Sequence, residues 1–180
     1  MTIADKVKKY VKEHCLEKQV TDVRMGLGYT GVCLEDGCCG VAFTFKEGLY
    51  HGCSVFTGRR PLAGTSSHEI MAYFGSSSFL ESALGLSTIN ALVNGEATFQ
   101  AEGDVMKMLQ LAPNDRVGMV GYFGPLLKTI REQAKELVIF EIDEDREAGV
   151  LPAEQAYKEL PNCAIAIITS TSLITGTADG

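Results

Sequence analysis

The first hundred residues carry apolar side chains at helical spacing and then in short runs typical of strands. Apolar residues at every third or fourth position, among lysines and glutamates, predict an amphipathic helix over 3–17. Apolar runs predict strands over 20–25, 29–34 and 38–45. The pair Asp36-Gly37 suits a tight turn with positive φ angles, so the last two strands are predicted to form a hairpin.

A two-residue turn at this position fixes how the side chains of the hairpin are shared between its two faces. Leu34 would then lie opposite Cys39, and Cys33 would lie opposite Gly40. The predicted core face carries Val32, Leu34, Cys39, Val41, Phe43 and Phe45. The predicted opposite face carries Gly31, Cys33, Cys38, Gly40, Ala42 and Thr44. Side chains this small would let a helix or a ligand approach the sheet closely.

Two further helices are predicted over 67–74 and 79–94, because each follows a Ser-x-x-Glu capping-box sequence and ends at a glycine. The second is apolar on nearly all sides, which predicts that it is buried. A connection over 96–114 contains one short helix near 104–111 and ends in a turn. These features predict an α+β domain over 1–95 followed by a linker.

From residue 115 onward, short apolar strands alternate with helices. The predicted elements are strands over 116–120, 136–141 and 163–169 and helices over 125–134 and 153–160. Alternation of this kind predicts a parallel sheet with right-handed crossovers. The sequence therefore predicts a second domain over 115–180, of α/β class, with a small parallel sheet of three strands.

Composition and charge exclude several classes of function. The chain of 180 residues is 46% hydrophobic and has a net charge of -7, from 16 basic and 23 acidic residues. A surface of this charge argues against nonspecific binding of nucleic acid or anionic membranes. No apolar run approaches the roughly 18 residues of a membrane span, and the charged N-terminal segment is unlike a signal peptide. The six cysteines are therefore expected as free thiols in a reducing cytoplasm.

The loop from Gly121 to Gly124 is the strongest candidate for a ligand site, because ligands bind where such a loop meets the following helix. A dinucleotide fingerprint, Gly-x-Gly-x-x-Gly, would align with Met119, Gly121 and Gly124, so Met119 breaks its first position. Glu141 lies 20 residues after Gly121, where a ribose-binding acid would lie. The alternative is a tight turn without a ligand, with Glu141 ending a strand in solvent.

Two other groups of polar residues are candidates for the same site. The segment from Thr169 to Thr177 contains six hydroxyl side chains. It follows a predicted strand, so it would emerge at the sheet edge of Gly121 and Glu141, where hydroxyl and N–H groups can bind an anion or a polar ligand. The alternative is a capping turn that starts a short helix. Asn90 lies in the buried helix and needs partners; it either ties down backbone or projects into a cleft, and we favour the cleft.

The cysteines, together with His51, are the candidates for a metal site. Cys33, Cys38, Cys53 and His51 are candidate ligands, but no Cys-x-x-Cys spacing supports them. Cys33 and Cys38 share a face of the predicted hairpin only diagonally, about 7 Å apart. The alternative, which we favour, is that the cysteines are buried thiols that pack as small hydrophobic side chains.

Five segments occur in the order found in a known family. They are Gly26 to Cys33, Ser82 to Ala91, Val117 to Leu126, Phe140-Glu141, and Thr169 to Thr177. Together they resemble the putative heavy-metal-chelation family, and the resemblance covers most of the chain. It implies an N-terminal domain like that of enolase, a Rossmann-like C-terminal domain, and a ligand cleft between the two.

The resemblance also implies which residues contact the ligand and how the chain assembles. The expected ligand-binding residues are Asn90, Gly121, Tyr122, Phe123, Gly124, Glu141, Thr169, Thr171, Thr175 and Thr177. Family members usually continue past the equivalent of Gly180, so the chain is expected to be a natural short form or a truncated one. A missing piece would leave a sheet edge that needs cover, for example from a second subunit in a homodimer.

Three functions are consistent with these features. We favour a protein that binds a small anionic or metal-bearing ligand in the cleft, with a metal ion as the candidate cofactor. The alternative is an enzyme that uses a nucleotide cofactor such as NAD or S-adenosylmethionine, with Glu141 at the ribose and the loop at Gly121 at the phosphate or the methionine end. The third is a partner module whose exposed sheet edge binds another chain. The sequence identifies neither the ligand nor a reaction.

Overall fold

The chain folds into two compact units. A computed structural model describes residues 1–46, 56, 58–96, 103–142 and 149–179. The first unit comprises Met1–Thr98 with Ser170–Gly180, and the second comprises Phe99–Thr169. The last residues thus pack with the first unit, whereas the sequence pattern groups them with the second. In the described residues, no helix is long and apolar enough to cross a membrane.

Helices and strands follow the predicted order closely. The helices are α1 (Ile3–His14), α2 (Ser67–Met71), α3 (Phe79–Glu96), α4 (Val105–Met108), α5 (Gly124–Gln133), α6 (Ala156–Glu159) and α7 (Thr171–Thr175). The strands are β1 (Val20–Met25), β2 (Tyr29–Leu34), β3 (Cys39–Phe43), β4 (Arg116–Val120), β5 (Glu136–Glu141), β6 (Leu151–Pro152) and β7 (Ile165–Ile168). Helices α1 and α2 each end three residues before the predicted position.

The hairpin of β2 and β3 closes with a three-residue turn, so the predicted two-residue turn is wrong. The Leu34 N–H donates to the Cys38 carbonyl at 2.8 Å, and Gly37 takes a φ of 85°, as in a hairpin turn with a bulge. Cys33 therefore lies opposite Cys39. A shift of one residue turns every side chain of a strand to the other face.

The shifted register exchanges the two faces of β3. The buried residues of the hairpin strands are Thr30, Val32, Leu34, Gly40 and Ala42. Val41 and Phe43, which were expected in the core, are 61% and 40% exposed. Helix α3 packs on the buried face, since a Cβ added to Gly40 would lie 2.2 Å from both the Ser87 carbonyl oxygen and the Ala91 nitrogen. The predicted close approach of a helix to small side chains is therefore confirmed at Gly40.

Cys33 and Cys39 form a disulfide across the hairpin. Their Cα atoms lie 4.2 Å apart, close to the separation of an antiparallel pair that shares no ladder hydrogen bond. The expectation that all six cysteines are free thiols is wrong for this pair. The predicted register placed Cys33 opposite Gly40 and so concealed the pairing. Cys38 lies on the other face, where its sulfur would be 3.0 Å from a Cβ added to Gly95 of α3.

The second unit contains a four-stranded parallel sheet with the order β6-β5-β4-β7. The predicted parallel sheet is confirmed, but the predicted count of three strands is wrong. The fourth strand, β6, spans only two residues, which is too short for a sequence pattern to indicate. Apolar residues from β4, β5 and α5 form its core, including Val117, Met119, Leu127, Ile130 and Ile139. The fold is thus mixed α/β, with one antiparallel and one parallel sheet, and the likeness to enolase stays a prediction.

Ion pairs hold the amino end of the parallel sheet. Nε of Arg116 lies 3.0 Å from a Glu136 carboxylate oxygen, and one of its Nη atoms lies 2.9 Å from a Glu159 carboxylate oxygen. The hydrogen bond to Glu159 raises the pKa of Arg116 above its usual value, and the charge of Glu136 adds to the effect. The carboxyl end of the same sheet carries Gly121, Glu141 and Thr169.

Candidate functional site

The carboxyl ends of β4, β5 and β7 lie side by side in the parallel sheet. Strand β4 lies between β5 and β7, and the three strands are parallel with matching ends. Backbone hydrogen bonds extend this order by one residue: the Gly121 N–H donates to the Phe140 carbonyl at 2.8 Å, and the Thr169 N–H donates to the Val120 carbonyl at 3.0 Å. Gly121, Glu141 and Thr169 are therefore neighbours, as the sequence predicts.

Gly121 lets the loop after β4 turn beside Thr169. Its φ is 90°, a left-handed conformation that favours glycine because a Cβ is strained there. A Cβ added at this position would also lie 3.0 Å from Cγ2 and 3.1 Å from Cβ of Thr169. The backbone conformation and the packing against Thr169 both explain why this residue is a glycine, and neither explanation requires a ligand.

The carboxylate of Glu141 ties the ends of two strands together. Its Oε2 accepts a hydrogen bond from the Tyr122 N–H at 3.0 Å, and its Oε1 accepts one from the Ile142 N–H at 2.9 Å. A carboxylate offers about four acceptor positions, so each oxygen can still accept a hydroxyl donor or contact a cation. The 20-residue spacing from Gly121 thus reflects a direct contact between the acid and the glycine loop.

Helix α5 starts two residues beyond the amide that Glu141 binds. It begins at Gly124, with Phe123 as its N-cap residue and Pro125 in its first turn, and no side chain among the described residues caps it. The N-terminus of a helix carries a partial positive charge. The loop therefore places a positive helix end near a carboxylate, and both face the end of the sheet where ligands bind in open α/β folds.

The hydroxyl-rich segment is divided between the two units and is not a single loop. Thr169 lies against Gly121 in the second unit. Thr171 begins α7 in the first unit, and Thr175 and Thr177 follow it there, with their hydroxyl oxygens 2.9 Å apart. The Thr175 hydroxyl also donates to the Thr171 carbonyl at 3.3 Å. This part of the segment is helical, but α7 begins at Thr171 and ends at Thr175, whereas the alternative interpretation starts its helix at Thr175 or Thr177.

Family models match both regions of the sequence. The model DUF4213 matches residues 8–93 and the model DUF364 matches residues 104–180, and both carry the description "putative heavy-metal chelation". The chain belongs to this family. The resemblance inferred from the five sequence segments is thereby confirmed.

Two solved structures share the fold of this family member. A protein of unknown function from the DUF364 family of Pyrococcus horikoshii matches with a TM-score of 0.81 at 24% identity, over 98% of this chain and 71% of that chain. A protein of unknown function from the same family of Desulfitobacterium hafniense matches with a TM-score of 0.72 at 21% identity, over 98% and 69% of the two chains. Identities this low establish the fold alone. No protein of curated function matches the chain.

In this member of the heavy-metal-chelation family, Asn90 holds α3 against the edge of the antiparallel sheet. Its amide donates to the Val41 carbonyl at 2.8 Å, and Asn94, one turn later, donates to the Cys39 carbonyl at 3.1 Å. Strand β3 lies at one edge of this sheet, and its outward carbonyls need such donors. Two roles were predicted for Asn90. The hydrogen bond to Val41 corresponds to the first, which is to hold the backbone in place, and the second, contact with a ligand, stays a prediction. Sequence analysis missed Asn94, because its spacing from Asn90 gains meaning only when β3 is known to lie alongside.

The metal ligands suggested by the sequence do not form a cluster in the described part of this family member. His51 and Cys53 lie outside the described residues. Cys33 is bonded to Cys39, and Cys38 lies on the opposite face of the hairpin. Across the described ranges, no group of three or more His, Cys, Asp or Glu side chains is placed to hold a metal ion. The described residues therefore contain no conventional cluster of metal ligands that would account for the description of the family.

Proposed function

We propose that this protein binds a small anionic or metal-bearing ligand at the carboxyl end of its parallel sheet. The observation that carries the proposal is the strand order β6-β5-β4-β7. The chain leaves β4 toward β5 through α5, whereas β7 lies on the other side of β4. In open parallel sheets, ligands bind at such a change of direction, outside the carboxyl ends of the strands. Gly121 and Thr169 flank this point, and the order supports the Rossmann-like class.

The charges around the loop restrict the class of ligand. The N-terminus of α5 attracts an anionic group, and the Glu141 carboxylate attracts a cation or accepts a hydrogen bond from a hydroxyl group. A bare metal ion would find one carboxylate here, since the described residues contain no cluster of three or more ligating side chains. We therefore expect the metal to arrive already held by an anionic chelator, or the ligand to be an anion that bears hydroxyl groups.

An enzyme with a nucleotide cofactor is the second candidate. The observation that favours it is the hydrogen bond from the Tyr122 N–H to Glu141, because nucleotide-binding sheets use an acid at the end of this strand to bind ribose. Met119 stands at the first glycine position of the fingerprint and is fully buried in the core, which weakens the match. We therefore rank this function second.

Calorimetry on two matched variants tests the proposal. Glu141→Gln removes a negative charge at the carboxyl end of β5, and Glu136→Gln removes the same charge at the amino end of the same strand. The probes are the citrate complexes of zinc, nickel and cobalt, together with NAD and S-adenosylmethionine, all with the Cys33–Cys39 disulfide intact. We expect a metal citrate to bind the wild-type chain and to bind Glu141→Gln at least about tenfold more weakly, since a hydrogen bond to a charged group contributes about 1.5–3 kcal/mol.

The control and the nucleotides decide between the candidates. Glu136→Gln should bind the metal citrate as the wild type does. Binding of NAD or S-adenosylmethionine alone, with the same dependence on Glu141, would select the second candidate. Failure of every probe to bind, or equal binding by Glu141→Gln and the wild type, would contradict a ligand site at this end of the sheet.

A further inference from the structure

We propose that Cys33 and Cys39 form a binding site for a soft divalent metal ion when their disulfide is reduced. The site lies on the outer face of the antiparallel sheet, in the first unit, and it does not depend on the loop site proposed above. Cys33 is half-buried and Cys39 is exposed. A small reductant and a metal ion can therefore both reach the sulfur atoms from solvent.

The hairpin holds the two cysteines opposite each other by contacts that do not involve sulfur. Their Cα atoms are 4.2 Å apart. The Leu34 N–H donates to the Cys38 carbonyl at 2.8 Å beside the pair, and the Asn94 amide donates to the Cys39 carbonyl at 3.1 Å. Because neither hydrogen bond involves a sulfur atom, we expect both to remain after reduction. The two thiols then stay positioned, and little conformational freedom is lost when a metal binds.

The spacing of the pair suits a metal held by two thiolates. Two metal–sulfur bonds of about 2.3 Å at a tetrahedral angle place the sulfur atoms roughly 3.8 Å apart. Cysteines on directly opposite positions of adjacent strands reach this separation by rotation about χ1, with no change in the backbone. Thiolate ligands select soft ions such as zinc and cadmium over calcium and magnesium.

The outer face leaves room for water molecules to complete the coordination of a metal held by the two thiolates. Asp22 of β1 pairs with Cys33 across the sheet, but its carboxylate is paired with Arg24 at 2.8 Å and is not counted as a ligand. Gly31 leaves room beside Cys33, because a Cβ added there meets no atom closer than 3.8 Å.

Reduction and metal binding form two balanced steps. A thiol reductant opens the Cys33–Cys39 bond by exchange: two protein thiols form, and two reductant thiols are oxidised to a disulfide. A divalent cation then binds both sulfur atoms and releases the two thiol protons. The oxidised pair has no thiolate to offer, so the redox state of the hairpin decides whether the metal binds.

Cadmium titration of the whole chain tests the proposal. We expect the chain, reduced with excess thiol and freed of it without oxygen, to bind Cd²⁺ with the ultraviolet charge-transfer absorption of a cadmium thiolate. The chain with its disulfide intact should lack this absorption. Cys39→Ser should weaken binding by the reduced chain at least about 100-fold. A metal bound to Cys33 alone would lack the second bond to a thiolate that the same hairpin holds in place. Cys38→Ser, on the adjacent residue but the opposite face, should bind as the wild type does.

Further controls keep the result decisive. Circular dichroism establishes that each variant is folded, and Cys33→Ser repeats the test from the partner strand. Wild-type affinity in both Cys33→Ser and Cys39→Ser would overturn the proposal, as would an equal loss in Cys38→Ser or equal binding by the oxidised chain. The loop site is tested with the disulfide intact, so the two proposals succeed or fail independently.

Discussion

Gly40 offers the sharpest test of how α3 packs on the antiparallel sheet. In Gly40→Ala, the new Cβ would lie 2.2 Å from the Ser87 carbonyl oxygen and from the Ala91 nitrogen. Ordinary van der Waals contact begins at 3.4 Å, so the helix must move about 1.2 Å away from β3. Both contacts are with helix backbone, which cannot rotate aside as a flexible side chain can.

This displacement should cost packing energy and hydrogen bonds together. Overpacking a core costs roughly 1–3 kcal/mol, and the bonds that Asn90 and Asn94 donate to β3 contribute about 1 kcal/mol each. We therefore expect Gly40→Ala to lower the free energy of unfolding by roughly 3–5 kcal/mol. This loss is a large part of the stability of about 5–15 kcal/mol that is usual for a folded protein.

Equilibrium unfolding in urea measures the effect against a matched control. Gly31 lies on the outer face of the neighbouring strand, where an added Cβ meets no atom closer than 3.8 Å. Gly31→Ala should therefore change the free energy of unfolding by less than about 1 kcal/mol. Equal unfolding midpoints for the two variants would show that α3 does not press on Gly40, and would refute this account of the packing.

Three further predictions concern the loop, the sheet edge and the dependence on pH. Gly121→Ala should lower the free energy of unfolding by about 1–3 kcal/mol, because its φ of 90° and the nearby Thr169 side chain both oppose a Cβ; an unchanged urea midpoint would contradict this. Asn94→Ala should cost about 1 kcal/mol in the same assay, and Asn94→Asp more, because a carboxylate cannot donate to the Cys39 carbonyl. The hydrogen bond from Lys18 lowers the pKa of Asp36 below its usual 3.8. The ionised Asp36 therefore contributes its full stabilisation above pH 3.8, and this stabilisation is lost as the pH falls through the lowered pKa. Thermal unfolding between about pH 5 and pH 2 should thus depend less on pH in Asp36→Asn than in the wild type, and identical pH profiles would contradict the coupling.

Local sequence patterns were sufficient where an element is defined by its own residues. Strands β4 and β5 begin and end at the predicted residues, because each is an apolar run bounded by turn or helix signals. Helix α3 was predicted to be buried because it is apolar on nearly all sides, and Ser82 through Ile89 are all buried. These signals do not depend on distant parts of the chain.

The register of the hairpin depends on contacts that the local pattern does not contain. The pair Asp36-Gly37 suits turns of two or three residues. The fit of Gly40 against α3 favours the longer turn, and this contact joins residues far apart in the sequence. The same choice pairs Cys33 with Cys39, so the disulfide could not be predicted without the register.

Only part of the candidate site could be predicted from the sequence, because the rest again depends on contacts between residues that are far apart in the sequence. Gly121, Glu141 and Thr169 follow directly from the ends of parallel strands, and the structure brings them together. Thr171 was grouped with them because it is close in sequence, yet it begins a helix in the first unit. The packing of apolar residues such as Ile174 in the core of that unit decides this, and no local signal reports it. The homodimer and the cytoplasmic location stay predictions.

The amide of Tyr122 gives the most direct test of the ligand site. Its N–H donates to the Glu141 carboxylate at 3.0 Å, so a ligand that contacts this carboxylate must change the nuclear magnetic resonance signal of the amide. With zinc citrate added to the chain whose disulfide is intact, we predict shifts of the Gly121, Tyr122 and Thr169 amides and none at Arg116, at the amino end of the sheet. Shifts that avoid the carboxyl end, or none with zinc citrate in large excess, would contradict the proposed function.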